Sequence, residues 1–160
     1  MSICLRGTPE MMSVVISKAV LVLAGPFQER LTATSVAAAI ARGMTADGCL
    51  QCDACPLEDD LGARTANASK PLEEADFDRR MRAARAIVIA CAQLDDRTLA
   101  GSIAFEAATR ARQSGVPAYA VTGRDSLDPF ETRIVDLQAI LEANTTRALR
   151  VAGRKLAALV

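Results

Sequence analysis

Histidine and tryptophan are absent from the 160 residues, and the aromatic side chains amount to four Phe and one Tyr. Without imidazole the chain has no Ser-His-Asp or Cys-His nucleophile pair and no His-ligated zinc. Chemistry is left to carboxylates, Lys, Arg, hydroxyls, thiols and backbone dipoles. The lack of large rings points to a core of aliphatic helix-on-sheet packing rather than an aromatic sandwich. There is no excess of either charge, since nineteen basic residues balance nineteen acidic ones. Such a balance gives no field to steer nucleic acid or an acidic leaflet. No apolar run is long enough to cross a bilayer: "VVISKAVLVLAG" is interrupted by Ser17 and Lys18, and no small-residue cleavage site follows it. The expected location is the cytoplasm. Neither GxxxxGK[ST] nor GxGxxG occurs, so no P-loop or dinucleotide fingerprint is present.

What is present is apolar content, 51% of the chain, in a length that suits one hydrophobic core. Residues 1–17 have no period and read as a loose leader, within which Met11 or Met12 is an alternative start to Met1. Residues 18–160 read as one domain. "AVLVLA", residues 19–24, is a continuous apolar run closed by Gly25 and Pro26, the pattern of a parallel strand buried on both faces. A helix capped at Thr32 or Thr34 follows it. "LQCDAC", residues 50–55, alternates like a strand, and the stretch from Pro56 to Pro71 has no period at all. One helix is expected over Leu72–Arg85, acidic in front and basic behind, with Arg79, Arg80, Arg82 and Arg85 as a solvated face. Then come a strand "AIVIAC", a loop over 92–98, a helix ending at Gly115 and a strand entered through Pro117. A last strand "IVDLQAIL" and a helix capped at Asn144 or Thr145 complete the pattern. The alternation defines a three-layer, doubly wound, Rossmann-like α/β fold with a mostly parallel sheet of about five strands. Ligands of such sheets sit at the carboxyl ends of strands, which singles out the loops 25–31, 56–64 and 92–98.

"CLQCDACP", residues 49–56, spaces Cys49, Cys52 and Cys55 like one run of iron–sulfur ligands. Such a site needs its thiolates to converge. On a strand, Cys52 points to the opposite sheet face from Cys49 and Cys55, so a metal or iron–sulfur protein is the disfavoured reading. Cysteine is also a small, commonly buried hydrophobe.

The three loops and their flanks resemble the glycerate kinase family. "AGPFQERLTATSVA", residues 24–37, stands where that family has a PDSFKGSLSATEVA-like stretch, and "PLEDDLGART", residues 56–65, stands for its PMADGGEGT-like loop. "IVIACAQLDDRTLAGS", residues 87–102, corresponds to VITGEGRLDxQTLxGK, and the resemblance runs through nearly all of residues 18–159. Family members carry a second domain between the second loop and the helix before the third. Here residues 62–72 join the two ends, which reads as the scar of a lost inserted domain.

The resemblance implies phosphoryl transfer from ATP to glycerate, with ATP and Mg2+ as cofactors if the chain is active. Its motifs are much altered, however. Gly25 and Gln28 occupy the family's acid and lysine positions, and Glu29 and Arg30 its glycine and serine. Asp59 matches an acid, but Asp60 and Leu61 replace two glycines. Ala90, Cys91, Ala92 and Gln93 replace the GEGR-like stretch, while Leu94, Asp95, Thr98 and Gly101 remain and Ser102 stands for a lysine. Asp95 is the candidate catalytic residue, as metal ligand or base if any activity remains, against the reading that it only caps the following helix. Arg30, Asp59, Thr98 and Gly101 are the candidates for substrate or phosphate binding. The expected product of these changes is a degenerate, single-domain member with weak or no activity. The alternative is a non-catalytic ligand-binding or protein-interaction module. Its partners would be a small organic acid such as glycerate, a nucleotide, and a homodimer mate or a separate chain that supplies the missing domain, with no nucleic acid or membrane.

Overall fold

The computed structural model describes residues 18–28 and 30–160; the leader expected over 1–17 and Glu29 lie outside them. Strand β1 (Val20–Ala24) is buried at all five positions, as its unbroken apolar run requires. Helix α1 (Ala33–Met44) starts at Thr32, whose hydroxyl accepts from the Ser35 amide at 3.2 Å. Strand β2 (Cys52–Pro56) follows, then α2 (Ser69–Glu74), α3 (Phe77–Arg82) and β3 (Ala86–Leu94). The chain continues through α4 (Ile103–Gln113), β4 (Ala118–Asp125), α5 (Pro129–Val135), β5 (Ile140–Glu142) and α6 (Thr146–Ala157), the last capped by Thr145.

The five strands are all parallel in the order β2-β1-β3-β4-β5. Chain order reverses at β1, so the crevice of a doubly wound sheet falls at the carboxyl ends of β1 and β3. Strand alternation divides the core in two. Val20, Val22, Ala24 and Val88 face α1 and α6 through Val36, Ile40, Leu149 and Leu156. Leu21, Leu23, Ile87 and Ile89 face the other helices through Leu72, Phe77, Met81 and Ala107. On the first face α1 and α6 approach backbone to backbone. A Cβ on Gly43 would land on the Arg150 carbonyl, and one on Gly153 would land on the Ile40 carbonyl.

The structure corrects the sequence reading in several places. The single helix expected over Leu72–Arg85 is two, broken at Asp76, which takes the left-handed conformation with φ 56°. In one continuous helix Leu72 and Phe77 would lie about 140° apart around the axis. The break lets both bury against the sheet, and aspartate tolerates that backbone. The strand expected over "IVDLQAIL" is instead the end of α5 and the three-residue β5. A capping box explains it: the Asp128 carboxylate accepts from the Glu131 amide at 2.8 Å, and the Glu131 carboxylate accepts from the Asp128 amide at 3.1 Å. Strand β3 runs on into the first three residues of the expected loop, to Leu94, paired with β4 as Gln93↔Arg124 and Leu94↔Asp125. The next helix begins at Ile103 rather than Leu99, because Ser102 caps it. No helix among the described residues is long and apolar enough to cross a membrane.

Candidate functional site

The carboxyl ends of β1 and β3 are where the three loops meet. The first loop closes on itself: Phe27, buried, donates its amide to the Leu31 carbonyl at 2.8 Å, with Gln28 in the left-handed region between them. Arg30 is exposed on this loop. The second loop leaves β2, exposes Glu58, Asp59 and Asp60, and then turns inward. The Asp60 carboxylate accepts from the Gly62 amide at 3.1 Å, which aims the Leu61 side chain into the core, where it is fully buried. Leu61 lies on Gly25: a Cβ there would meet Leu61 Cγ and the Asp59 carbonyl, each at 2.8 Å.

The third loop is tied to the second. Thr98 is fully buried; its hydroxyl accepts from the Asp95 amide at 3.1 Å and donates to the Gly62 carbonyl at 3.0 Å. One Asp95 carboxylate oxygen accepts from the Arg97 amide at 2.9 Å and the Thr98 amide at 3.3 Å. Asp95 therefore caps a turn over 95–98, and the cap of the helix itself is Ser102, whose hydroxyl accepts from the Phe105 amide at 3.0 Å. The Ala104 amide, in the first turn of α4, donates to the Leu61 carbonyl at 2.9 Å. Gly101, at φ 94°, is exposed and accepts from the Thr65 amide at 3.1 Å. A helix N-terminus beside a glycine-rich turn is a ready anion cradle. Here Leu61 and Ser102 take two of its amides.

Of the sequence candidates, Asp95, Thr98 and Gly101 thus share one loop, bonded to residues 62–65, while Arg30 and Asp59 are exposed side chains on the first and second loops. Leu61, Gly62 and Ser102 were not among the candidates, although they organise the site. Ser102 was legible in principle as a hydroxyl residue opening an apolar helical run. We expect Thr98→Val to leave the Asp95 amide and the Gly62 carbonyl unpaired in the interior. The cost is about 2 kcal/mol, read from the urea midpoint.

The cysteines diverge. Cys52 packs on the α1 side of the sheet, whereas Cys55 and Cys91 belong to the opposite core. Burial pushes the Cys52 thiol up to about 11 and the fully buried Cys91 thiol up to about 12, and it raises Cys55 as well. With no metal beside them, these groups are thiols at neutral pH. Among the described residues no three His, Cys, Asp or Glu side chains are grouped to hold a metal ion. Since the unfolded chain loses these protons near the ordinary value of 9.0, their contribution to stability is intact below it and falls as pH rises towards 12. Urea midpoints at about pH 8 and about pH 10 should differ in that direction, with native Cys91 unreactive to Ellman's reagent at the lower pH.

A separate cleft of about 340 Å³ lies beside Ala19 and Ala84, at the amino ends of β1 and β3, lined by Asp53, Asp76, Arg79 and Arg80. Its cations are engaged. Arg80 grips the Asp53 carboxylate through two nitrogens and the Ala54 carbonyl at 2.9 Å, and Arg79 pairs with Asp76. It is remote from the strand ends where the loops converge.

Fold and site together define a doubly wound α/β protein with three interlocked loops at its switch point. The glycerate kinase family model matches residues 61–158, more than half of the chain, and the chain belongs to that family. Among solved structures it is similar to a protein described as "putative glycerate kinase 2" from Salmonella typhimurium LT2, with 14% identity and a TM-score of 0.43. That likeness covers 57% of this chain and 26% of the other, so this chain spans about a quarter of its relative's length. No curated protein matches.

Proposed function

We propose that this chain is a member of the glycerate kinase family that retains the base domain and does not transfer phosphoryl groups efficiently. The observation that carries the reading is the contact between Gly25 and Leu61. In the resemblance these positions belong to an acid and a glycine, the acid lining the site and the glycine exposing backbone to ligand. Here the acid is reduced to a hydrogen, and a leucine fills the space and closes it. The two departures fit each other, which supports a site remodelled as core rather than one eroded at random.

Several of the groups that the resemblance would aim at magnesium ATP are engaged within the chain. The first-turn amides of α4 at Ala104 and Phe105 are bonded within the chain. One Asp95 oxygen is held by two amides, and Thr98 has no exposed surface. Residues 62–72 carry no inserted domain; instead Arg64 bridges to Ser102 and α2 begins at Ser69. Transfer requires a water-excluding cleft, and a single wall does not supply one. A small organic acid such as glycerate, or a nucleotide bound without turnover, remains within this reading, as does a separate chain standing in for the second domain.

The test is a coupled assay for ADP with glycerate and magnesium ATP, alongside a thermal-shift screen with each ligand singly and together. Turnover should not exceed background. Turnover that Asp95→Asn abolishes would sink the proposal.

A further inference from the structure

The two edges of the sheet are treated differently. At the β2 edge, strand alternation turns the peptide groups of Cys52, Ala54 and Pro56 outward, since Gln51 and Leu57 bond to β1. Arg80 covers the Ala54 carbonyl at 2.9 Å, and Pro56 has no N–H to offer. Both are recognised ways of blunting an edge. At the β5 edge, Ala139 and Ala143 bond to β4, so Ile140 and Glu142 turn their N–H and C=O groups outward. Neither proline nor arginine covers them among the described residues.

Beside this edge runs a groove of about 460 Å³ between β5 and α6, floored by Leu141, Ala148, Val151 and Ala152. Val151 is 41% exposed, and the other large exposed hydrophobics, Phe130, Ile134 and Leu159, also lie on or next to the two helices flanking β5. Helix α6 carries Arg147, Arg150, Arg154 and Lys155 and no carboxylate. None of these four takes part in an ion pair among the described residues. Arg147 and Lys155 line the groove, with Glu142 as its one acid.

We propose that the β5 edge and this groove bind an extended, acidic segment of another protein, added as a sixth strand. Arg147 and Lys155 are eight residues apart, about 12 Å along the helix. Side chains four apart on a strand share a face and are about 13 Å apart. The fitting segment therefore has carboxylates at its first and fifth positions and an apolar residue midway, over Leu141 and Val151. The outward groups of Ile140 and Glu142 supply backbone pairing, which gives affinity in this mode, and the cations supply selectivity. A second copy of the chain is the poorer occupant. Antiparallel pairing of two β5 strands would set α6 against its twin, four cations against four.

The test uses the full chain and a labelled, terminally blocked heptapeptide with glutamate at its second and sixth positions, valine at the fourth and threonine elsewhere, read by fluorescence anisotropy. A matching peptide with lysines for glutamates is the control. The glutamate probe should bind at least about tenfold tighter than the lysine probe, and Arg147→Glu with Lys155→Glu should remove that preference. Ile140→Pro deletes an outward N–H without touching the β4 ladder, but it also removes a side chain packed on the core, so it is compared with Ile140→Ala, which loses the same packing and keeps the N–H; the proline variant should bind about tenfold more weakly than the alanine one. Equal affinity for the two probes, or no binding up to about 1 mM, overturns the proposal. So does a dimer in sedimentation that Ile140→Pro dissociates, because the edge would then belong to a second copy.

Discussion

Gly153→Ala should lower the unfolding free energy by about 3 kcal/mol or more, and Gly43→Ala should do the same. The measurement is equilibrium urea denaturation. At both positions the added methyl group would overlap a carbonyl of the facing helix, Ile40 for Gly153 and Arg150 for Gly43. Backbone cannot swing aside as the end of a long side chain can. The helices must move apart, which loosens Val36, Ile40, Leu149 and Leu156 together. Because one separation relieves both overlaps, the double variant should cost less than the sum of the single ones. Additive losses would mean that the two contacts are independent.

Gly25→Asp, which restores the acid that the family resemblance places there, should be the most damaging single change in the candidate site. The new side chain would meet Leu61 and the Asp59 carbonyl and would carry an unpaired carboxylate into the interior. A loss of about 4 kcal/mol is expected. Leu61→Gly alone vacates a fully buried side chain and should cost about 3 kcal/mol. Combined, the two changes should interact by at least about 1 kcal/mol in the favourable direction, because the second removes the obstacle to the first. If the double variant loses the full sum, the two substitutions are unrelated and the reading of this site as a filled cradle loses its main support.

The positions of the long elements could be read from the chain because the apolar run at Val20–Ala24 and the helical spacing of Val36, Ala39 and Ile40 each fit one period. That the sheet is parallel and doubly wound followed from alternation of elements, whereas the strand order did not. Short elements escaped this logic. Helix α5 spans seven residues, too few to establish a period, and its real signal was the Asp128-Pro129-Phe130-Glu131 cap, which announces a helix where "IVDLQAIL" reads as a strand. The break at Asp76 is a tertiary effect, forced by the need to bury both Leu72 and Phe77. At the site, the loops and the alterations within them were visible in register. That Leu61 turns inward was not, because its direction depends on the Asp60 carboxylate holding the Gly62 amide, and on the room left by a glycine 36 residues earlier in the chain, at position 25.

The all-parallel sheet has a consequence for the chain before it is folded. No strand can pair with its neighbour in sequence through a tight turn, so β1 must wait for β2 and β3, which arrive over long helical crossovers. Meanwhile "VLVLA" and "AIVIAC", which end up fully enclosed, are exposed at the same time, and each is the kind of segment that seeds intermolecular β-structure. Each is flanked by a breaker of such stacking. Lys18 precedes the first and Gly25-Pro26 follows it, and Arg85 precedes the second. Both cations are exposed in the native state. Charges placed next to such segments oppose their stacking while the strands are still uncovered.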